Sequence, residues 1–229
     1  MKTNHIEKHH RVNDILLGPL ERPILEWLAV HMPARISPDF CTIFGVFGAA
    51  VVFTGYWLST ADRDFLWLAS LGFVINWLGD SLDGTLARHR GIERPVFGFY
   101  ADHTLDAVSQ ALIILGLGLS PYVDFTLACL TLIAYMLLSI QVYVRTCATG
   151  EFKISFGKLG PTEIRVIAVF INAAMFFGGV RMITWNLGAF GPVRFSPYDL
   201  AVAAIALILL VFFISSTIQE AVRLGKTGR

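Results

Sequence analysis

Four aspartates set the chemistry open to this chain: Asp80 and Asp83, three residues apart, and Asp102 and Asp106, four apart. On a helix each spacing puts both carboxylates on one face, so two neighbouring helices could bring all four together. Carboxylates in an apolar setting need a partner, and four acids cannot neutralise one another. Arg88 would offset only part of the charge, whereas one or two divalent cations would match it, and all-oxygen ligation suits Mg²⁺ or Mn²⁺ better than zinc. Gly84, Ala87 and Gly98 each lie four positions, about one helical turn, from one of the acids. Such small residues clear room for a bulky group against the backbone. A diphosphate bridging the metals fits that room, with Arg88 as a further phosphate contact. The competing explanation is four solvated acids at helix ends, salt-bridged to Arg88, Arg90 and Arg94; the joint spacing of acids and small residues argues against it.

The elements that must hold these acids are membrane helices. Of 229 residues 55% are hydrophobic and 15% charged, and the mean hydropathy is +0.63, a composition that would leave a soluble domain with large exposed apolar patches. Apolar runs of about 20 residues, enough to cross a hydrocarbon core, recur near 40–58, 65–86, 98–119, 123–144, 164–180 and 198–218. Lipid does not tolerate unpaired backbone groups, so all six are expected as α-helices. The fold class is therefore all-α integral membrane, with six transmembrane helices. Ahead of them, 12–32 spaces Ile15, Leu16, Leu20, Ile24, Leu25 and Leu28 at near-helical intervals, with Glu21, Arg22 and Glu26 elsewhere on the wheel. That pattern predicts an N-terminal amphipathic interfacial helix, restarted at Pro23 and ended by Pro33. The chain is expected to be one domain over 1–229, with a cytoplasmic or interfacial segment at 1–38 and a transmembrane bundle at 39–220.

Charge placement gives the orientation. With six spans, all of the 18 Lys and Arg residues except Arg63, Arg181 and Arg194 fall on one side. Cytoplasmic loops carry such an excess, which predicts a multi-pass protein with both termini and the acidic site facing the cytoplasm. A net charge of +1 with no basic stripe excludes a nucleic-acid partner. Cys41, Cys129 and Cys147 are odd in number and suit no disulfide framework. The first residues carry no cleavable leader pattern, and no internal repeat is evident.

The stretch from Asp80 to Asp106 resembles the signature of the CDP-alcohol phosphotransferase family, present here as Asp80, Asp83, Gly84, Ala87, Arg88, Gly98, Asp102 and Asp106. Residues 89–97 make the gap between Arg88 and Gly98 about one longer than the commonest spacing. Pro38, Asp39 and Thr42 resemble the family's nucleotide-holding Pro-Asn-x-x-Thr, with Asp39 where Asn is usual. The resemblance implies transfer of a substituted phosphate from a CDP-linked donor, CDP-diacylglycerol or a CDP-alcohol, to an alcohol acceptor in phospholipid biosynthesis, with release of CMP. It also implies a homodimer working beside membrane lipid, with Asp80, Asp83, Asp102 and Asp106 holding two Mg²⁺ or Mn²⁺ ions and Asp106 serving as general base.

His103, directly after Asp102, resembles the Phe-Asp-His of choline and ethanolamine phosphotransferases, which use a CDP-amino alcohol and a lipid acceptor. There the histidine can be argued as base; it can equally orient a neighbouring carboxylate. Glu163 and Arg165, opening the fifth span on the cytoplasmic side, are expected to contact acceptor or phosphate, although Pro161 and Glu163 also suit a plain helix start. A cation- or proton-coupled transporter is the rival from another class. It would place acids near the midplane and show related halves, and neither is evident.

Overall fold

The computed structural model describes residues 16–149, 160–186 and 192–227. Positions 12–15 of the expected interfacial segment lie outside them, as do Lys153 and Lys158. Helix α1 (Gly18–His31) is followed by α2 (Pro38–Leu58), α3 (Phe65–Arg90), α4 (Pro95–Gly118), α5 (Phe125–Thr149) and α6 (Pro161–Gly178). Strands β1 (Ile183–Asn186) and β2 (Pro192–Phe195) then precede α7 (Pro197–Thr227). Helices thus occupy all six expected spans. Five of them, α2, α3, α5, α6 and α7, are long and apolar enough to cross a membrane. Helix α4 is not among the five, because the polar stretch from Asp102 to Asp106 interrupts its apolar run.

Prolines start most of these helices. Pro19, Pro38, Pro95 and Pro161 each sit at the first or second position of a helix, where the missing N–H has no partner to lose. Ser37 completes the start of α2 by accepting the Phe40 N–H at 3.1 Å. Gly91, with φ of 65°, ends α3 in the left-handed conformation.

Two sequence expectations are corrected here. Helix α1 does not restart at Pro23 but runs through it from Gly18, giving up one backbone bond in its second turn. Its inward face is Gly18, Glu21, Leu25 and Ala29, so Glu21 is buried, while Leu20, Ile24, Trp27 and Val30 are exposed. Between α6 and α7 this all-α architecture also carries a short two-stranded sheet. The two strands pair antiparallel, Ile183 opposite Phe195 and Thr184 opposite Arg194.

Helices α2 and α3 share the most extensive interface, and glycines bring them together. A Cβ at Gly79 would lie 2.3 Å from the Gly45 nitrogen, and one at Gly48 would lie 2.3 Å from that of Asn76. With no water to drive association, this approach of backbones is what holds helices together in lipid. One apolar core gathers Val52, Tyr56, Leu66, Phe73 and Met175; a second, at the end where α2 begins and α3 ends, gathers Leu25, Ala29, Cys41, Leu82 and Leu86. Polar groups buried beside the first core pair with one another. Tyr56 donates to Asn172 Oδ1 at 2.7 Å, and Asn172 Nδ2 donates to Ser70 Oγ at 3.1 Å.

Candidate active site

Helices α3 and α4 run side by side with α2 and bring three of the four acids together. One carboxylate oxygen from each of Asp80, Asp102 and Asp106 lies within 4.8 Å of the other two, and all three residues are half-buried. The cavity at this point is lined by Thr42, Gly45 and Val46 of α2, Asn76 and Asp80 of α3, and Asp102, Leu105, Asp106 and Ser109 of α4.

Asp83 stands apart from the trio. Its Oδ2 accepts the Thr42 hydroxyl at 2.7 Å and its Oδ1 contacts the Gly84 N–H. Thr42 also lies 3.2 Å from the Pro38 carbonyl, so the start of α2 is tied to the acid-bearing turn of α3.

The positive charge at the cluster comes from α6. Arg165 Nη2 donates to Asp80 Oδ2 at 2.7 Å, and its Nε donates to Asn76 Oδ1 at 2.8 Å. Asn76 in turn donates to the Gly45 carbonyl at 2.9 Å, so one side chain links α2, α3 and α6. Arg165 Nη1 is buried and has no hydrogen-bond partner among the described residues.

Among the described residues, Arg165 pairs with one of the three converging carboxylates. An all-oxygen donor set whose ligand atoms lie within 4.8 Å of one another fits a hard divalent cation. The residues present therefore fit the metal that the sequence led us to expect.

The remaining site candidates fall in several places. His103 Nδ1 lies 2.9 Å from the Phe99 carbonyl and 3.6 Å from Asp102 Oδ2, and its ring stacks on Phe99 with centroids 4.2 Å apart. A carbonyl can only accept, so that nitrogen carries the hydrogen. Arg88 is exposed and donates to Thr85 at 3.1 Å. A Cβ at Gly84 would stand 3.2 Å from Arg88 Nη1, whereas one at Gly98 would meet nothing within 4 Å. Ala87 is half-buried on α3. Asp39 pairs with Arg94 at the surface.

Glu163, expected at the cavity, is used elsewhere. Its Oε1 accepts the Leu17 N–H at 2.7 Å and its Oε2 accepts the Gly160 N–H at 2.8 Å, which closes the start of α6 and leaves it no place in the cavity lining. Arg90, considered as a partner for the acids, instead donates to the carbonyls of Met32, Pro33 and Ile36. The sequence reading missed Asn76, although an asparagine four residues before Asp80 in an apolar run was a usable signal. It also missed Glu21, whose burial no wheel revealed.

Arg165→Gln removes the cluster's own cation. The metal-free variant is expected to lose on the order of 3 kcal/mol of stability. Saturating Mn²⁺ is expected to raise its melting temperature by more than it raises that of the unsubstituted protein. An equal rise in both, read by thermal unfolding in detergent, would show that Arg165 does not share the acids with metal.

Residues 35–212 match the family model described as CDP-alcohol phosphatidyltransferase. Cholinephosphotransferase 1 of Homo sapiens is 27% identical over 197 residues, 79% of this chain and 46% of that protein. Archaetidylinositol phosphate synthase of Pyrococcus horikoshii is 29% identical over 148 residues, 64% of this chain and 73% of that one. The chain thus spans about half the length of the cholinephosphotransferase it matches. Among solved structures, phosphatidylinositol phosphate synthase of Mycobacterium tuberculosis with CDP-DAG bound aligns at a TM-score of 0.53 and 20% identity, covering 86% of this chain and 89% of that one. The same protein in complex with manganese and citrate aligns at a TM-score of 0.53 and 21% identity, covering 86% and 85%. At these identities the two structures speak to the fold alone.

Proposed function

Since the chain belongs to the CDP-alcohol phosphatidyltransferase family, we propose that it is a membrane enzyme moving a substituted phosphate from a CDP-linked donor to an alcohol, with release of CMP. The observation that carries this reading is the convergence of Asp80, Asp102 and Asp106 at one cavity beside Thr42.

In this reading Asp80, Asp83, Asp102 and Asp106 would hold two divalent cations, Mg²⁺ or Mn²⁺. When bound, these would neutralise the donor's diphosphate and offset the charge on departing CMP. The mycobacterial synthase, of like fold, is known in complex with manganese. Asp106 takes the proton from the acceptor hydroxyl, whose oxygen then attacks the donor phosphorus. The bond from that phosphorus to the CMP oxygen breaks, and CMP leaves with the electron pair. Thr42 holds Asp83 in place, and Pro38, Asp39, Gly84, Ala87, Arg88 and Gly98 line the approach for nucleotide and phosphates. Arg165 lies where an acceptor or phosphate would come to rest.

The same proposal takes α4 as the sixth span, α1 as an interfacial helix, and both termini and the site as cytoplasmic. It takes the protein as a single domain and a homodimer.

A second reading, favoured by His103 beside Asp102, is use of a CDP-amino alcohol with a lipid acceptor. The relatives include, by name, a cholinephosphotransferase and an archaetidylinositol phosphate synthase.

The test is CMP release from protein reconstituted in lipid with Mg²⁺ or Mn²⁺. CDP-diacylglycerol and CDP-choline or CDP-ethanolamine are supplied separately over a panel of acceptors. Release that stops when metal is chelated is expected with one donor class, and which class decides between the two readings. Ion flux without any CMP release from any donor would overturn both in favour of a transporter.

A further inference from the structure

We infer that Glu21 is a positioning residue for the acidic cluster, a clamp through which α1 sets the spacing of Asp80 and Arg165; this rests on the metal-dependent transfer proposed above. Glu21 is buried, and no arginine or lysine pairs with it among the described residues. Its Oε1 accepts the Trp77 Nε1–H at 2.9 Å and the Ser81 hydroxyl at 2.9 Å, and its Oε2 accepts the Thr162 hydroxyl at 3.0 Å. A charge is costly to bury and is retained only where every lone pair finds a donor, so three neutral donors on two other helices make a demanding arrangement.

The placement of those donors gives the clamp its meaning. Trp77 and Ser81 are one turn apart on α3, and Ser81 is the immediate neighbour of Asp80. Thr162 stands in the first turn of α6, three residues before Arg165, and so shares its side of the helix. The two oxygens of one carboxylate are therefore bonded beside both ends of the ion pair between Arg165 and Asp80. A second bond closes the same junction, from the Leu17 N–H just ahead of α1 to Glu163 at the start of α6.

Metal ligands need placement to about 0.5 Å, and groups behind the ligands supply it. Without Glu21, Trp77, Ser81 and Thr162 lose a common acceptor, and α6 is free to shift along α3. Asp80 then meets Asp102 and Asp106 in productive geometry for less of the time.

The experiment measures Mn²⁺ binding directly, by the electron paramagnetic resonance signal of free Mn²⁺, in the purified full-length chain. The variants are Glu21→Ala, Glu21→Gln and Thr162→Val, with Asp80→Asn as reference and a melting curve for each. Glu21→Ala and Thr162→Val are expected to weaken Mn²⁺ binding by roughly tenfold. Glu21→Gln keeps a carbonyl oxygen for α3 and an amide N–H for the Thr162 oxygen, and is expected to restore most of the affinity. Thr162→Val is nearly isosteric and is expected to fold, with a melting temperature lowered only by the loss of one donor, even if Glu21→Ala fails to fold. A Thr162→Val protein that binds Mn²⁺ normally, while Asp80→Asn does not, overturns the clamp and leaves the metal reading intact. An Asp80→Asn protein that binds Mn²⁺ normally overturns the metal reading, and the clamp with it.

Discussion

Asp106→Asn is expected to cut CMP release by about a thousandfold or more while leaving the fold intact. The substitution is isosteric, so neither the cavity lining nor the packing of α4 changes. It removes the group that accepts the acceptor's proton, and one negative charge from the trio of Asp80, Asp102 and Asp106. His103→Ala separates the two possible bases. If His103 only steadies Asp102, its loss costs far less than that of Asp106; if it is the base, the order reverses. Rates from both variants at saturating metal, with Mn²⁺ binding measured alongside, make the distinction. More than a tenth of the original rate in Asp106→Asn would exclude it as base.

Gly79→Ala is expected to have the largest effect of any single methyl group. The added carbon would lie 2.3 Å from the Gly45 nitrogen, 2.5 Å from its Cα and 2.6 Å from the Cys41 carbonyl, and all three are backbone atoms that cannot swing aside. The helices must part, at a cost of about 1–3 kcal/mol or more. Gly79 directly precedes Asp80, so the separation also moves an acid of the cluster and strains the bond between Thr42 and Asp83. Misplacement of about 1 Å in a site of this kind costs on the order of a hundredfold in rate. Gly225→Ala on α7, where a Cβ meets nothing within 4 Å, is the control expected to leave melting temperature and rate unchanged. Equal behaviour of the two variants would show that α2 and α3 tolerate a wider separation than their contact implies.

Much of this was legible in the residues. The length of each apolar run, with prolines at the head of most helices, located all six long helices, although α7 runs on to Thr227, well past the expected 198–218. The aspartate spacings named the acids that meet. Three features were not legible, each for a physical reason. A helical wheel finds two faces but does not say which turns inward. In a soluble protein the apolar face does; at a membrane the apolar face of α1 can meet lipid, and Glu21 turns in. Glu163 met two descriptions at once, a cavity residue and a helix start, and only the position of the Leu17 N–H chose between them. The hairpin of Ile183–Asn186 and Pro192–Phe195 was hidden because four-residue strands carry too little alternation to stand out between long apolar runs, despite Ile183, Thr184 and Trp185.

The source of the cluster's positive charge bears on how the chain is made. Asp80, Asp83, Asp102 and Asp106 all precede α5, and Arg165 follows it, so synthesis delivers every acid before the arginine. Helices α2 and α3 are joined by only six residues, 59–64, and can close on each other early. From the arrival of α4 until the ribosome has completed α6, the growing chain holds its carboxylates with no arginine of α6 beside them. During that interval metal or protons from solution would help to quiet their repulsion. Ionic conditions at the insertion site therefore bear on assembly as well as on turnover.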